Sequence, residues 1–530
     1  MRKKTTTTTN TTRENTDPTT IQISDIPIDE EKPRKRRRFG GKKKKETAEA
    51  SQKVSERKLR NRELVRVSYI FVFMFLSLAG YLIYFNIEKR DEINSNANNT
   101  KQESKQEQII RGSILSADGE ILAGTNVDEE GNETRLYPFD NVFAHVVGYA
   151  TNGKAGVEAE ANFDLLSCHA SILDQVRNHG LDTKVRGDNV VLTLDSKLQR
   201  ACYDALGSYS GAVVVVEPDT GKILAMVSKP DFNPNTISSD WETLISDSSN
   251  SSLFNRALQG QYPPGSTFKI LTTLAYLREH PDDYQSFGYD CNGSISRDTV
   301  RITCYGGEVH GHVDLESAFV HSCNGAFAEM GMGLDNEAFK NVCENFMFNT
   351  ELPIGLPSSK SLFSLEKGAS YGEEMMTAIG QGNTVASPLE MALVAASVAN
   401  GGNMMKPYYI DRLETYDGDV VKEYRPSVYR EVMSTEEAAL LADLMTKTVE
   451  QGTAKKLSGE SYTAAGKTGS AEYETGEEQG THSWFIGYSN VNDPDLAIAV
   501  IAENGGSGSS TAVPIAKQIF DSYYYNYYGE

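Results

Sequence analysis

Tyr262-Pro-Pro-Gly-Ser-Thr-Phe-Lys269 is the stretch on which the fold turns. Pro263-Pro264-Gly265 forces a sharp entry, and the pattern from Ser266 to Leu277 predicts a helix behind it. On a helix, residues i and i+3 share a face with Cβ atoms about 5–6 Å apart, so Lys269 can point its amine at Ser266. A serine hydroxyl is a poor nucleophile until a base takes its proton. A lysine is such a base only when burial or a nearby cation lowers its pKa. At a helix start, free backbone N–H groups favour a developing oxyanion. S-x-x-K alone carries little, because Ser55 and Ser364 also match it. By itself, Ser266 also fits an ordinary helix N-cap.

Downstream lie Ser322-Cys-Asn324 and Lys467-Thr-Gly469. S-x-N is weak alone, whereas K-T-G occurs once against about a tenth of an occurrence expected by chance. Lys467 supplies a second cation to depress Lys269. Ser322 can relay a proton, and the Asn324 amide can hold a peptide carbonyl. Lys467-Thr-Gly reads as an edge strand presenting a cation, a hydroxyl and a gap. The cation and Thr468 suit a substrate carboxylate, and Gly469 lets a peptide approach as an added strand. Each motif also has a bland alternative, as turn residues or a plain edge strand. Their order and separation favour a single site.

Around these motifs the elements sort into an α+β pattern. Asn189 to Leu194 reads as a strand, with Asp195 capping a helix over Ser196–Leu206. Ala212–Glu217 and Lys222–Val227 flank Pro218-Asp-Thr-Gly221 as a hairpin. Leu389–Val398 and Glu436–Glu450 read as helices. Ala464–Glu472, Ser483–Tyr488 and Leu496–Ile501 read as strands, and Ala512–Tyr525 as a closing helix. Strands early and late with helices between imply one sheet built from both ends, with the middle helices on its face. Residues 109–190, punctuated by glycines, read as a small module of short strands.

Charge divides the chain of 530 residues. The net charge is −21, yet residues 1–66 hold 20 basic and 10 acidic side chains, so residues 67–530 carry −31. That argues against a duplex-binding protein, and no nucleic-acid partner is expected. Six cysteines make no disulfide scaffold, and no C-x-x-C pair or H-E-x-x-H motif signals a metal. Val67–Ile87 is an uncharged run of 21 residues, long enough to span a membrane. The basic residues before it keep the N-terminus cytoplasmic and place the rest outside. Residues 1–66 read as a disordered basic tail and 88–108 as a polar stalk. Cys291 and Cys304 read either as a local disulfide or as two buried thiols, and Cys323 as a small packing residue. The tyrosines from 523 to 528 read as a docking tail or a frayed helix end.

The three motifs together resemble the class B penicillin-binding proteins. So do Arg111–Ala123, Gly156-Val-Glu158, Gly211–Ser228, Ile379-Gly-Gln-Gly382, Ser387–Ala392, Ala399-Asn-Gly-Gly402 and Trp484-Phe-Ile-Gly487. The resemblance implies a serine β-lactamase-like fold over residues 191–530, an antiparallel sheet sandwiched by helices, beside a short pedestal over 109–190. It implies a bacterial, single-pass membrane D,D-transpeptidase that crosslinks peptidoglycan stem peptides and is acylated by β-lactams. In that scheme Ser266 attacks D-Ala-D-Ala, Lys269 is the base, and Ser322 and Lys467 pass the proton on. Asn324 positions the donor, while Lys467, Thr468 and the Ser470 hydroxyl hold the carboxylate. The backbone N–H groups of Ser266 and Ser470 form the oxyanion hole. Position 470 is Ser where many relatives carry Thr. No metal or organic cofactor is implied. The pedestal is too short for a glycosyltransferase, so the resemblance implies a separate membrane-embedded lipid II polymerase. The rivals are a D,D-carboxypeptidase, an anchored β-lactamase, a β-lactam sensor and a scaffold with a decayed site.

Overall fold

The computed structural model describes residues 43–88, 108–169, 184–247, 251–475 and 478–527. The chain divides into a unit ending at Ile87 and a compact unit over Glu88–Glu530. In the first unit, helix α1 spans Lys43–Glu88. Within it, Asn61–Phe85 is long and apolar enough to cross a membrane, with a mean hydropathy of 1.9. The expected disordered tail is corrected here, because residues 43–66 continue the helix. They contain neither Gly nor Pro and are rich in Lys, Glu, Arg and Ala, all good helix formers. The rest of that tail, and the stalk apart from its ends, lie outside the described residues.

The larger unit is built on a five-stranded antiparallel sheet. Its strands are β1 (Gly211–Val216), β2 (Ile223–Lys229), β3 (Ala464–Thr475), β4 (Glu478–Ser489) and β5 (Ala497–Ala502), in the order β3-β4-β5-β1-β2. Every residue of β1 is buried, and its valines alternate between two cores. Val214 and Val216 face one core, Val213 and Val215 the other. Helix α2 (Ser196–Leu206), capped by the Asp195 carboxylate on the Lys197 and Leu198 N–H groups, covers the second face. On the first face lie α3 (Lys269–Glu279), α4 (Asn324–Gly333), the almost wholly buried α5 (Pro388–Ala399) and α6 (Thr435–Glu450). Helix α7 (Ala512–Asp521) packs with α2. The expected sandwich is present, with β3 at its edge.

Past α7, Tyr524 is packed against the body of the domain, while Tyr528 lies outside the described residues. Tyr524 stacks on Tyr462 at 4.8 Å, and its hydroxyl donates to Asp495 Oδ2 at 2.7 Å and lies 2.8 Å from Ser489 Oγ.

The pedestal's sheet also takes in strands from the transpeptidase region. Its six-stranded sheet includes Asn189–Leu192, Ile114–Leu115, Ile121–Val127 and Glu133–Leu136, but also Ile410–Glu414 and Val420–Glu423 from much later in the chain. A buried ion cluster anchors it. Arg111 Nε and Arg135 Nε donate to the two Glu158 oxygens at 2.6 and 2.7 Å. Burial alone would raise the Glu158 carboxyl, but the two guanidinium groups outweigh it and hold it below its ordinary range.

Candidate active site

Ser266 does not begin an α-helix. It lies in a 3₁₀ turn, Gly265–Phe268, from which α3 continues at Lys269. In that tighter turn side chains at i and i+3 eclipse, so the two residues are still in line. The turn is wedged between β3 and the helical layer. The Gly265 N–H donates to Gly380 O at 2.8 Å, and the Trp484 indole donates to Pro263 O at 3.1 Å. Gly380 has φ +71°, and a Cβ there would sit 2.2 Å from Gly265 O, so only glycine lets the loop brace the turn.

The fold gathers the residues that the motifs predicted. Lys269 Nζ lies 2.7 Å from Asn324 Oδ1, 2.9 Å from Ser322 O and 3.1 Å from Ser322 Oγ. Among the described residues, no hydrogen bond joins it to Ser266 Oγ, the contact expected from the sequence. Ser322 has φ +58°, a left-handed conformation costly for a residue with a Cβ. It turns the chain so that Ser322 and Asn324 both reach the amine. Asn324 is fixed from its other end, its Nδ2 donating to Thr303 O at 2.8 Å.

Burial brings the Lys269 ammonium down to about 7. Lys467 is also fully buried, and burial followed by repulsion from Lys269 holds it well below its ordinary range. The depression of Lys269 is thus present, but its leading cause is burial, and the repulsion between the lysines falls on Lys467. The Lys467 amine lies beside the Phe319 ring, 5.6 Å from its centroid.

Above these amines opens a cleft of about 1300 Å³ lined by Ser266, Ser322, Asn324, Thr468 and Ser470. Lys467 does not line it. Gly469 also lies close against the serine turn. A Cβ there would meet Pro264 O at 2.9 Å and the Trp484 Cβ at 3.0 Å, so its gap admits the chain's own serine turn. Ser470 Oγ accepts from the Gly508 N–H at 3.2 Å, leaving its proton to donate elsewhere.

Two contributors escaped the sequence reading. Thr453 Oγ1 lies 2.6 Å from Thr468 Oγ1 and fixes that hydroxyl. The Gln381 amide, oriented as its neighbours require, donates to Glu472 O at 3.0 Å and accepts from Glu472 N at 3.1 Å. It closes the free edge of β3 just past Ser470. Ile379-Gly-Gln-Gly382 was noticed only as part of the resemblance, and Thr453 carried no signal beyond following Gly452.

A serine turn held between an edge strand and a helical layer, over a pair of buried lysines, defines the class of penicillin-recognising transpeptidases, and the comparisons agree. The family model described as the penicillin binding protein transpeptidase domain matches residues 211–521. A second, the penicillin binding protein A dimerisation domain, matches 111–190. The chain belongs to the class B penicillin-binding proteins. It is 31% identical to the peptidoglycan D,D-transpeptidase PbpA of Mycolicibacterium smegmatis, covering 86% of this chain and 98% of the relative. It is 29% identical to the peptidoglycan D,D-transpeptidase MrdA of Acinetobacter baumannii, covering 74% and 66%. Penicillin-binding protein A from M. tuberculosis, solved as a penicillin G acyl-enzyme complex, superposes with a TM-score of 0.71 at 29% identity, covering 78% of this chain and 99% of that one.

Proposed function

We propose that this protein is a membrane-anchored peptidoglycan D,D-transpeptidase and that Ser266 is its nucleophile. The convergence of Lys269 on Ser322 and Asn324 beside Ser266 carries this reading, supported by relatives that form acyl-enzymes with β-lactams. The donor stem peptide lies along β3 as an added strand. The hydroxyls of Thr468 and Ser470 take the terminal carboxylate, and Asn324 steadies the peptide. Lys467, buried beneath the cleft, serves proton transfer rather than carboxylate binding.

Asn324 Oδ1 and Ser322 O can only accept, so they take two N–H groups of the Lys269 amine. When the amine is neutral, its third position is a lone pair open to Ser322 Oγ, which itself lines the cleft beside Ser266. There it receives the Ser266 proton as Oγ attacks the carbonyl of the penultimate D-Ala. Geometry of this kind tightens once substrate is bound. The N–H groups of Ser266 and Ser470 stabilise the oxyanion. Ser322 and Lys467 pass the proton to the leaving D-Ala, and an amine of a neighbouring stem peptide then takes the acyl group. The basic residues before the membrane span place the N-terminus in the cytoplasm and the site outside, and a separate membrane-embedded polymerase supplies the glycan strands. The test is a D-Ala-D-Ala stem peptide offered with a labelled D-amino acid as acceptor. Label exchanged into the peptide is expected, and release of D-Ala by water alone would identify a carboxypeptidase instead.

A further inference from the structure

An oxyanion hole works only if both its donors reach one oxygen, each at about 2.7–3.1 Å. Here the two donors stand on separate elements, the Ser266 N–H on the 3₁₀ turn and the Ser470 N–H on β3. Packing limits how closely the two approach. A Cβ on Gly265 would sit 3.2 Å from Ser470 O, and one on Gly469 would sit 2.9 Å from Pro264 O. Such contacts stop the strand from moving in but leave it free to move out. In the sheet, β3 is an edge strand held by β4 on one side only. The Trp484 indole ties β4, not β3, to the turn. Among the described residues, no hydrogen bond joins β3 directly to the turn.

We propose that Gln381 supplies the missing tie and is a positioning residue that fixes the width of the oxyanion hole. Its side-chain amide holds Glu472 at both ends, donating to Glu472 O at 3.0 Å and accepting from the Glu472 N–H at 3.1 Å. One residue pairs with another in this way across an antiparallel ladder. Glu472 thus turns its N–H and C=O to the free edge. Backbone groups alternate along a strand, so Ser470, two residues back and about 6.8 Å away, turns its own to the same edge. Gln381 grips the first outward-facing residue beyond the oxyanion donor and leaves Ser470 open to substrate.

The loop that carries Gln381 is anchored on the serine's side of the cleft. It follows the helix Tyr371–Ala378, and the N–H groups of Gly380 and Gln381 donate back to Thr377 O and Met376 O, both at 2.9 Å. On α3, Thr272 Oγ1 donates to Ala378 O at 2.8 Å. The Gly265 N–H donates to Gly380 O at 2.8 Å. Gly380 therefore holds the turn that bears Ser266, and the next residue holds the strand that bears Ser470. The inference rests on Ser266 as the nucleophile. Packing alone would make the half-buried Gln381 a stabiliser of its loop. Its removal would then lower stability without changing what surrounds the acyl carbonyl.

The test uses the full chain in detergent, acylated by benzylpenicillin labelled with carbon-13 at the lactam carbonyl. Stopped-flow traces separate the acylation rate constant from the dissociation constant of the complex that precedes it. Infrared difference spectra report hydrogen bonding to the ester carbonyl. Gln381→Met fills the space without a donor or acceptor to match. It is expected to slow acylation about 10–100-fold, with the dissociation constant within about threefold of the wild type. Its ester band is expected at higher wavenumber, because one donor has drawn away from the oxygen. In Gln381→Glu the ionised carboxylate accepts from the Glu472 N–H but cannot donate to Glu472 O, so both readouts are expected to move the same way. A wild-type rate in Gln381→Met with an unshifted band overturns the proposal. A slowed variant whose band stays in place, or one changed only in the dissociation constant, overturns it as well. Ser266→Ala keeps the two readings apart. An adduct on that variant refutes the nucleophile, whereas a clean Ser266→Ala beside an unaffected Gln381→Met refutes the tie alone.

Discussion

Lys269 carries the largest demand on any single residue. It must be neutral to take a proton, and burial brings its pKa to about 7, with Lys467, Cys304 and Cys323 as the charged or titratable groups around it. Below that value it is an ammonium that cannot accept. The acylation rate by a fluorescent penicillin is therefore expected to rise with pH through about 7 and then level off. A flat profile between about pH 5 and pH 9 would count against Lys269 as the base. Lys269→Arg, which stays charged, is expected to slow acylation about 10²–10⁴-fold with the fold intact. Ser266, Lys269, Ser322, Asn324 and Lys467 could be read together as one candidate site only from the order and separation of the three motifs, and the fold brings them close. That Pro264 presses on Gly469 was not legible, because it lies far off in sequence. Nothing local could have revealed it.

At the scale of the element, α5 bears a cost that can be measured. Glu390 is fully buried in it, and neither carboxyl oxygen has a hydrogen-bond partner among the described residues. Burial pushes its pKa up to about 8, with Ser361 offsetting a part. An unfolded glutamate ionises near about 4.3. As pH rises from there to about 8, the unfolded chain loses this proton while the folded one keeps it. Stability is therefore lost progressively across that window, and the whole cost stands above it. Glu390→Gln is expected to stabilise the protein by on the order of a few kcal/mol at pH 8 and by little at pH 5, as read by urea melts. Equal effects at both pH values would contradict this. The helix itself was legible in Leu389–Val398, as were α2, the β1–β2 hairpin and β3 to β5, because period and caps are local signals. The 3₁₀ start of the serine turn was not, since bracing by Gly380 and Trp484 selects it.

For the whole molecule, pedestal and transpeptidase region share a sheet within one compact unit. Ile410–Glu414 pairs with Asn189–Leu192, which in turn pairs with Ile114–Leu115. A chain cut to residues 191–530 would leave that strand and the buried apolar face beside it open. It is expected to aggregate, whereas residues 109–530 melt cooperatively. A soluble, cooperatively melting 191–530 fragment would show the shared sheet to be dispensable. The sequence placed the pedestal at 109–190 because composition changes there, and it had no means of showing two strands returning from beyond residue 400.

The proposed acyl transfer at Ser266 is tested most directly by intact-mass spectrometry of the full chain in detergent after incubation with benzylpenicillin, with Ser266→Ala alongside. A persistent adduct of one drug mass on the wild type, absent from the variant, is the predicted result. An adduct on both proteins, or none on folded wild type, would contradict it.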